Sequence, residues 1–262
     1  MISTGFGIIY LVVGVFLAYI LTKVLKITPK HIIIDKPRKE ATLGYAVFPV
    51  IFIVAFLLNW LVINIITPAL GRGQDPYFED SISVLWILFF YTVWSIPLII
   101  AFKGTKQSVG SVGLSGNNIG QMVALGIILG VINFAVYGFL APYLGGGFLG
   151  FSTSLIFNLL INIIVGFGEE LVFRGYIQTR LVAYHGTIMG VSITSLLFAL
   201  IHLSGTLFIV GYNLEGVLSA LNRFFLGLLF GYIMVKCQNI IPSSIFHAIG
   251  NWSEFFWRLP SN

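Results

Sequence analysis

The chain has 262 residues, 58% of them hydrophobic and only 9% charged, against roughly 25% charged in a soluble domain. Such a chain cannot solvate itself in water, so a soluble globular fold is excluded and the lipid bilayer becomes its solvent. A net charge of +5 does not signal nucleic acid, because the basic residues flank apolar runs instead of forming an aromatic-interleaved patch. The one cysteine, Cys237, excludes an internal disulfide framework and any CxxC metal or redox motif.

The apolar runs come near the ~20 residues that cross ~30 Å of hydrocarbon as a helix. In chain order they are Ile8 to Leu25, Tyr45 to Thr67, Ile82 to Phe102, Met122 to Leu144, Phe151 to Ala183, Thr187 to His202, Val217 to Lys236, and Ile240 to Trp257. The first lacks a basic start and a small-residue cleavage site, so it reads as a retained span. The fifth is too long for one perpendicular crossing and must tilt or protrude, since its residues would make a rod of about 50 Å. Gly145 to Gly147 mark a plain turn, and the polar stretch from Thr28 to Leu43 is a linker too short for a core of its own. The expected fold class is therefore all-α: a polytopic membrane helical bundle of about eight transmembrane helices. It forms a single integral membrane domain over 1–262, with four spans in 1–144 and a helical core in 151–258.

Lysine and arginine orient the bundle, because cytoplasmic loops carry them in excess. One side receives Lys23, Lys26, Lys30, Lys36, Arg38, Lys39, Lys103, Lys106, Arg174, Arg180 and Lys236. The other holds Arg72 and Arg258, with the acidic residues Asp75, Glu79, Asp80 and Glu215, and Arg223 lies inside the seventh span. Eleven basic residues against two put the first side in the cytoplasm and both termini outside.

Ionisable groups in mid-helix cost about 2.5–3.5 kcal/mol on insertion scales, so those that persist there are functional candidates. The sequence Gly168-Glu169-Glu170-Leu171-Val172-Phe173-Arg174-Gly175 puts two carboxylates in a long apolar helix. Glu170 and Arg174 are four apart and share a face, so the arginine can neutralise that glutamate. Glu169, turned about 100° away, is left without a local partner. Two further pairs with the same spacing are Phe198 with His202 and His247 with Asn251. Glu169 and His202 are equidistant from the Tyr184-His185-Gly186 turn, so an antiparallel hairpin brings them to one depth, and His247 enters from the same side. A carboxylate and a histidine can hold and deprotonate water, and a second histidine with an amide can donate to an oxyanion. Peptide hydrolysis suits that set. In a zinc variant, Glu169, His202 and His247 would be three ligands with one open position.

These residues resemble a family. Glu-Glu-x-x-x-Arg, then Phe-x-x-x-His, then His-x-x-x-Asn on successive helices look like the CAAX-protease and bacteriocin-processing (CPBP, or Abi) intramembrane proteases, over about Phe151 to Trp257. The resemblance implies that Glu169 and His202 activate the catalytic water, that His247 and Asn251 stabilise the oxyanion, and that Glu170, Arg174 and Phe198 support them. It implies an enzyme that cleaves a membrane-associated protein or peptide, prenylated in the eukaryotic members; the charge bias adds the expectation of a cell-membrane protein with its active site toward the cytoplasm. No cofactor is required on this reading, zinc being the alternative, and no nucleic acid is a partner. Other readings are a non-proteolytic immunity or scaffold protein of the same fold, a transporter or proton pathway, and a purely structural set in which Glu170 and Arg174 fix packing and the histidines join helices. Gly227 and Gly231 are expected to permit close helix contact, Tyr45, Trp60 and Trp257 to anchor span ends, and His31 and His185 to be solvated. Arg223 is expected to pair with Glu215, to snorkel, or to meet a substrate carboxylate.

Overall fold

In the computed structural model, residues 4–69, 81–143, 147–148, 150–209 and 214–258 are described. Helix α1 spans Thr4–Val24 and α2 spans Pro37–Leu61, continued by a π-wound turn, Val62–Ile66, and the short α3, Thr67–Ala69. Then come α4 (Ser81–Thr105), a 3₁₀ turn (Val109–Val112), and α5 (Ile119–Tyr143). Helix α6 (Ser154–Glu170) runs through a π-wound stretch, Leu171–Gln178, into α7 (Thr179–His185). The remaining helices are α8 (Thr187–Ile209), α9 (Leu214–Cys237) and α10 (Ile241–Ser253). A two-residue antiparallel pairing of β1 (Gly147–Phe148) with β2 (Trp257–Arg258) joins the start of α6 to the end of α10. Arg72, Asp75, Glu79, Asp80 and residues 144–146 lie outside the described residues, as do the side chains of Glu215, Trp257 and Arg258.

The architecture is the all-α bundle expected from composition. Six helical runs are long and apolar enough to cross a membrane: Gly7–Val24, Pro37–Ala69, Ile82–Thr105, Ile119–Val136, Ser154–His185 and Val217–Cys237. Outward-facing Ile9, Phe16, Leu85, Ile100 and Ile156 are each at least 60% exposed, a surface that hydrocarbon covers without cost and water does not. The fifth predicted span is an unbroken helical run of 32 residues, as its length required. Of the other two predicted spans, Thr187 to His202 extends into the 23-residue helix α8, and Ile240 to Trp257 is shorter than expected. Helix α10 has 13 residues, about 20 Å, and carries Ser243, Ser244, His247 and Ser253 buried. Such a helix is unsuited to lipid and lies instead against α5 and α6. The seat is shaped for it: a Cβ at Gly126 or Gly130 of α5 would meet Ile245 or Ile249, and one at Gly166 of α6 would meet the Ser244 carbonyl, all within 3 Å.

Two apolar clusters organise the interior. One joins α2, α4, the π-wound stretch and α8 through Ile51, Trp94, Phe173, Tyr176 and Phe198. The other joins α1, α5, α9 and α10 through Ala18, Met122, Leu125, Phe230 and Phe246. The N-terminal helices are therefore interleaved with the later ones: α1 packs on α9, α2 on α7, α4 on α6, and α5 on α10.

The linker after α1 is shorter than predicted, because Pro37 begins α2 well before Tyr45. Proline fits there, since the first helical N–H has no partner to lose. The shift brings Glu40 into the bundle, where its Oε2 lies 3.5 Å from Arg180 Nε and both side chains are buried. Arg180 also donates to the Ser111 carbonyl and hydroxyl, each at 2.9 Å, and lies over the Tyr176 ring. Arg180 and Arg174 are thus interior groups and not loop charges. Without them the basic count on the proposed cytoplasmic side falls from eleven to nine, still against two. His31 is exposed, whereas His185, also exposed, bonds the Tyr45 hydroxyl at 2.9 Å.

Candidate active site

Glu169 and Glu170 end α6, where the winding widens from the α to the π register. Such widened turns occur often at functional sites. Gly186, with a positive φ of 82°, closes the turn between α7 and α8, and the hairpin returns His202 to the level of Glu169 as the spacing predicted. His202 Nε2 lies 3.6 Å from Glu169 Oε2. His247 Nε2, delivered by α10, lies 3.8 Å from the same oxygen. One carboxylate oxygen therefore faces two imidazoles. The His202 ring is held from behind by a 2.9 Å contact between its Nδ1 and the Phe198 carbonyl. A proton on Nδ1 satisfies that carbonyl and leaves the Nε2 lone pair facing the glutamate.

The second glutamate has a different task. Glu170 Oε1 lies 3.2 Å from Arg174 Nη1, with both side chains wholly buried, and 3.4 Å from His247 Nδ1. His247 is thus bracketed by two carboxylates, one on each ring nitrogen. The Arg174 guanidinium sits 4.2 Å from the Phe198 ring centroid and 5.2 Å from that of Phe230, and donates to the Gly227 carbonyl at 3.3 Å. Phe230 also stacks on His247, centroids 4.8 Å apart. Phe198 belongs to one apolar cluster and Phe230 to the other, so this polar layer lies along their seam.

The glycine pair on α9 is a close contact, as expected, and something more. A Cβ at Gly227 would come 3.0 Å from the Ser195 Cβ, and one at Gly231 2.7 Å from Val191 Cγ1. Their carbonyls accept from Arg174 and from Gln178, the latter at 3.0 Å. The buried guanidinium of Arg174 and amide of Gln178 on the π-wound stretch thus find acceptors on α9.

Sequence reasoning left Glu169 without a partner, and the structure supplies one from α4: the Tyr91 hydroxyl donates to Glu169 Oε1 at 2.9 Å. Tyr91 packs edge-on against Trp94 and directly over Gly168, where an added Cβ would sit 2.9 Å from its Cε1. The glycine before the glutamate pair is therefore what lets the tyrosine reach its target. With Tyr91 on Oε1, Oε2 is the oxygen turned to the histidines. Replacing Tyr91 by phenylalanine is expected to lower turnover about tenfold or more, the worth of a hydrogen bond to a charged group, while leaving the amount of protein in the membrane unchanged; Gly168→Ala should act alike by pushing the ring away. Assaying both variants with immunoblotting of membranes checks this.

Asn251 lies one turn beyond His247 on α10, half-buried, with no side-chain hydrogen bond to any described residue. Among the described residues no group of three or more His, Cys, Asp or Glu is arranged to hold a metal ion.

Fold and site together define a multi-pass helical membrane protein with a carboxylate–histidine centre inside the bundle. No curated protein matches the chain. Residues 151–253 match the family described as type II CAAX prenyl endopeptidase Rce1-like. The match begins at Phe151 and covers Glu169, His202, His247 and Asn251, while Tyr91 and Glu40 fall before it. The match supports the CAAX-protease resemblance read from the motifs and the coarse role of a CAAX-type membrane endopeptidase.

Proposed function

We propose that the protein is a glutamate-dependent intramembrane endopeptidase that hydrolyses a peptide bond of a membrane-associated, prenylated protein or peptide. The observation that carries this reading is the convergence of His202 and His247 on one oxygen of Glu169. A water held between Glu169 Oε2 and His202 Nε2 loses a proton to the carboxylate as it attacks the carbonyl carbon. The carbonyl becomes an oxyanion, stabilised by hydrogen-bond donation from the Nε2 edge of His247 and the Asn251 amide. Collapse of the tetrahedral species breaks the C–N bond, and the proton taken from water passes to the leaving amine. Glu170 and Arg174 touch no reacting atom in this scheme; they set the orientation of His247.

The bilayer is the plasma membrane and the site faces the cytoplasm, where nine basic residues flank the spans. A single cysteine introduced at the exposed His31 should stay unlabelled by a membrane-impermeant maleimide in intact cells and become labelled after permeabilisation. Ready labelling before permeabilisation would reverse the orientation.

The scheme draws on no metal, so 1,10-phenanthroline should leave turnover unaltered; loss restored by zinc would instead make Glu169, His202 and His247 its ligands. The test of function compares membrane-protein termini and released peptides, by mass spectrometry, between cells holding equal amounts of wild type and Glu169→Ala. A terminus seen only with wild type identifies the substrate. Identical sets, with one phenotype shared by both proteins, would favour the non-proteolytic scaffold or immunity reading.

A further inference from the structure

Arg223 is an arginine inside the α9 span, six residues from its start at Val217. It lies one helical turn before Gly227 and two before Phe230, an i, i+4, i+7 set that shares one helix face. That face is the one turned to the site, since the Gly227 carbonyl accepts from Arg174 and Phe230 stacks on His247. The Arg223 charge acts on both Glu169 and His202. Yet the half-buried side chain forms no hydrogen bond or ion pair with any described residue. A guanidinium at membrane depth costs several kcal/mol unless something neutralises it. The carboxylate it already senses, Glu169, is committed to Tyr91 and the two histidines.

We propose that Arg223 anchors a carboxylate of the substrate, fixing the peptide on the leaving-group side of the scissile bond. The proposal rests on the hydrolytic reading of Glu169 and His202 and adds a specificity determinant to it. Arginine is the side chain suited to this, because its planar fork meets a carboxylate with two parallel N–H donors. Four residues of helix separate Arg223 from Gly227, about 6 Å along the axis, and the arginine side chain adds several more. A leaving peptide of two or three extended residues spans about 7–10 Å. The ligand is thus a chain-terminal carboxylate a few residues beyond the cut, or an acidic side chain at that distance.

The test is a binding measurement with full-length Glu169→Ala protein in phosphatidylcholine nanodiscs. Turnover then plays no part, and Arg223 has no Glu169 charge to compensate. Three fluorescein-labelled farnesylated peptides are the probes: Cys-Val-Ile-Met as the free acid, the same as its C-terminal amide, and the amide with aspartate in place of isoleucine. The free acid is expected to bind at least tenfold more tightly than the plain amide. In Glu169→Ala/Arg223→Gln that ratio should fall to near one, and Arg223→Lys should retain part of it. Recovery of affinity by the aspartate-bearing amide would assign the ligand to an acidic side chain; failure to recover would assign it to the chain terminus. Equal binding of acid and plain amide with Arg223 in place, no binding of any probe, or a ratio that survives Arg223→Gln would each overturn the proposal. The hydrolytic reading fails by a different result, normal turnover in the folded Glu169→Ala protein.

Discussion

Glu169→Gln and His202→Ala are each expected to reduce cleavage by at least about 10³-fold, near the upper range for loss of a positioned acid–base group, with the protein present in the membrane at normal amounts. Neither side chain is needed to hold helices together. Glu169 makes its close polar contacts with Tyr91, His202 and His247, all groups that keep other support: Tyr91 in its aromatic cluster, His202 on the Phe198 carbonyl, His247 on Glu170 and Phe230. Glutamine is the sharper substitution, since it keeps volume and the hydrogen bond from Tyr91 while removing the base. The measurement is initial cleavage rate of the substrate found by terminus mapping, normalised to protein recovered in detergent. Turnover within threefold of wild type in either variant would refute the water-activation scheme. If only His202→Ala remained active, Glu169 would be acting alone and the second imidazole would be dispensable.

Arg174→Ala is expected to do the opposite: most of the protein disappears from the membrane before any assay can begin. Its guanidinium neutralises a wholly buried Glu170, donates to α9 through Gly227, and fills the space between Phe198 and Phe230. Removing one partner of such a pair costs about 3–5 kcal/mol, because the other charge stays buried and unmatched. That is a large share of the 5–15 kcal/mol that holds a typical domain together. Abundance by immunoblot and melting of the detergent-solubilised protein read the effect. Replacing both members, Glu170→Met with Arg174→Met, should recover abundance, because no lone charge remains. It should not recover activity, because His247 loses the carboxylate at its Nδ1. A stable, inactive double variant beside a scarce single one would separate the structural from the positioning role of the pair.

Much of the site was legible in the sequence because charged side chains are so costly at membrane depth that Glu169, Glu170, His202 and His247 stand out against an apolar background. Their separations also encoded the hairpin that unites them. Tyr91 was not legible. In a chain with 11 tyrosines, 24 phenylalanines and 5 tryptophans, one more aromatic residue in a span carries no mark of a hydrogen bond to a carboxylate 78 positions away. Glu40 and Arg180 were misplaced for the opposite reason. Charges near span ends ordinarily report topology, and nothing in the local pattern shows that α2 starts at Pro37 and carries a carboxylate inward. The π winding after Glu170 shifts hydrogen bonds by one residue and has no composition of its own. The shortness of α10 was hidden because its apolar run continues to Trp257 although the helix stops at Ser253.

The brevity and polarity of α10 bear on how the protein is made. A helix of that length with several buried hydroxyls and a histidine is a poor client for insertion into lipid by itself. The slot it occupies, between the glycine faces of α5 and α6, is built from segments translated earlier. Insertion of the long spans therefore comes first, and α10 then slides into a cleft already walled by protein. His247 arrives with it. Until that last step a nascent chain holds Glu169 and His202 without the second imidazole, so on the proposed scheme the oxyanion lacks its His247 donor until assembly is complete.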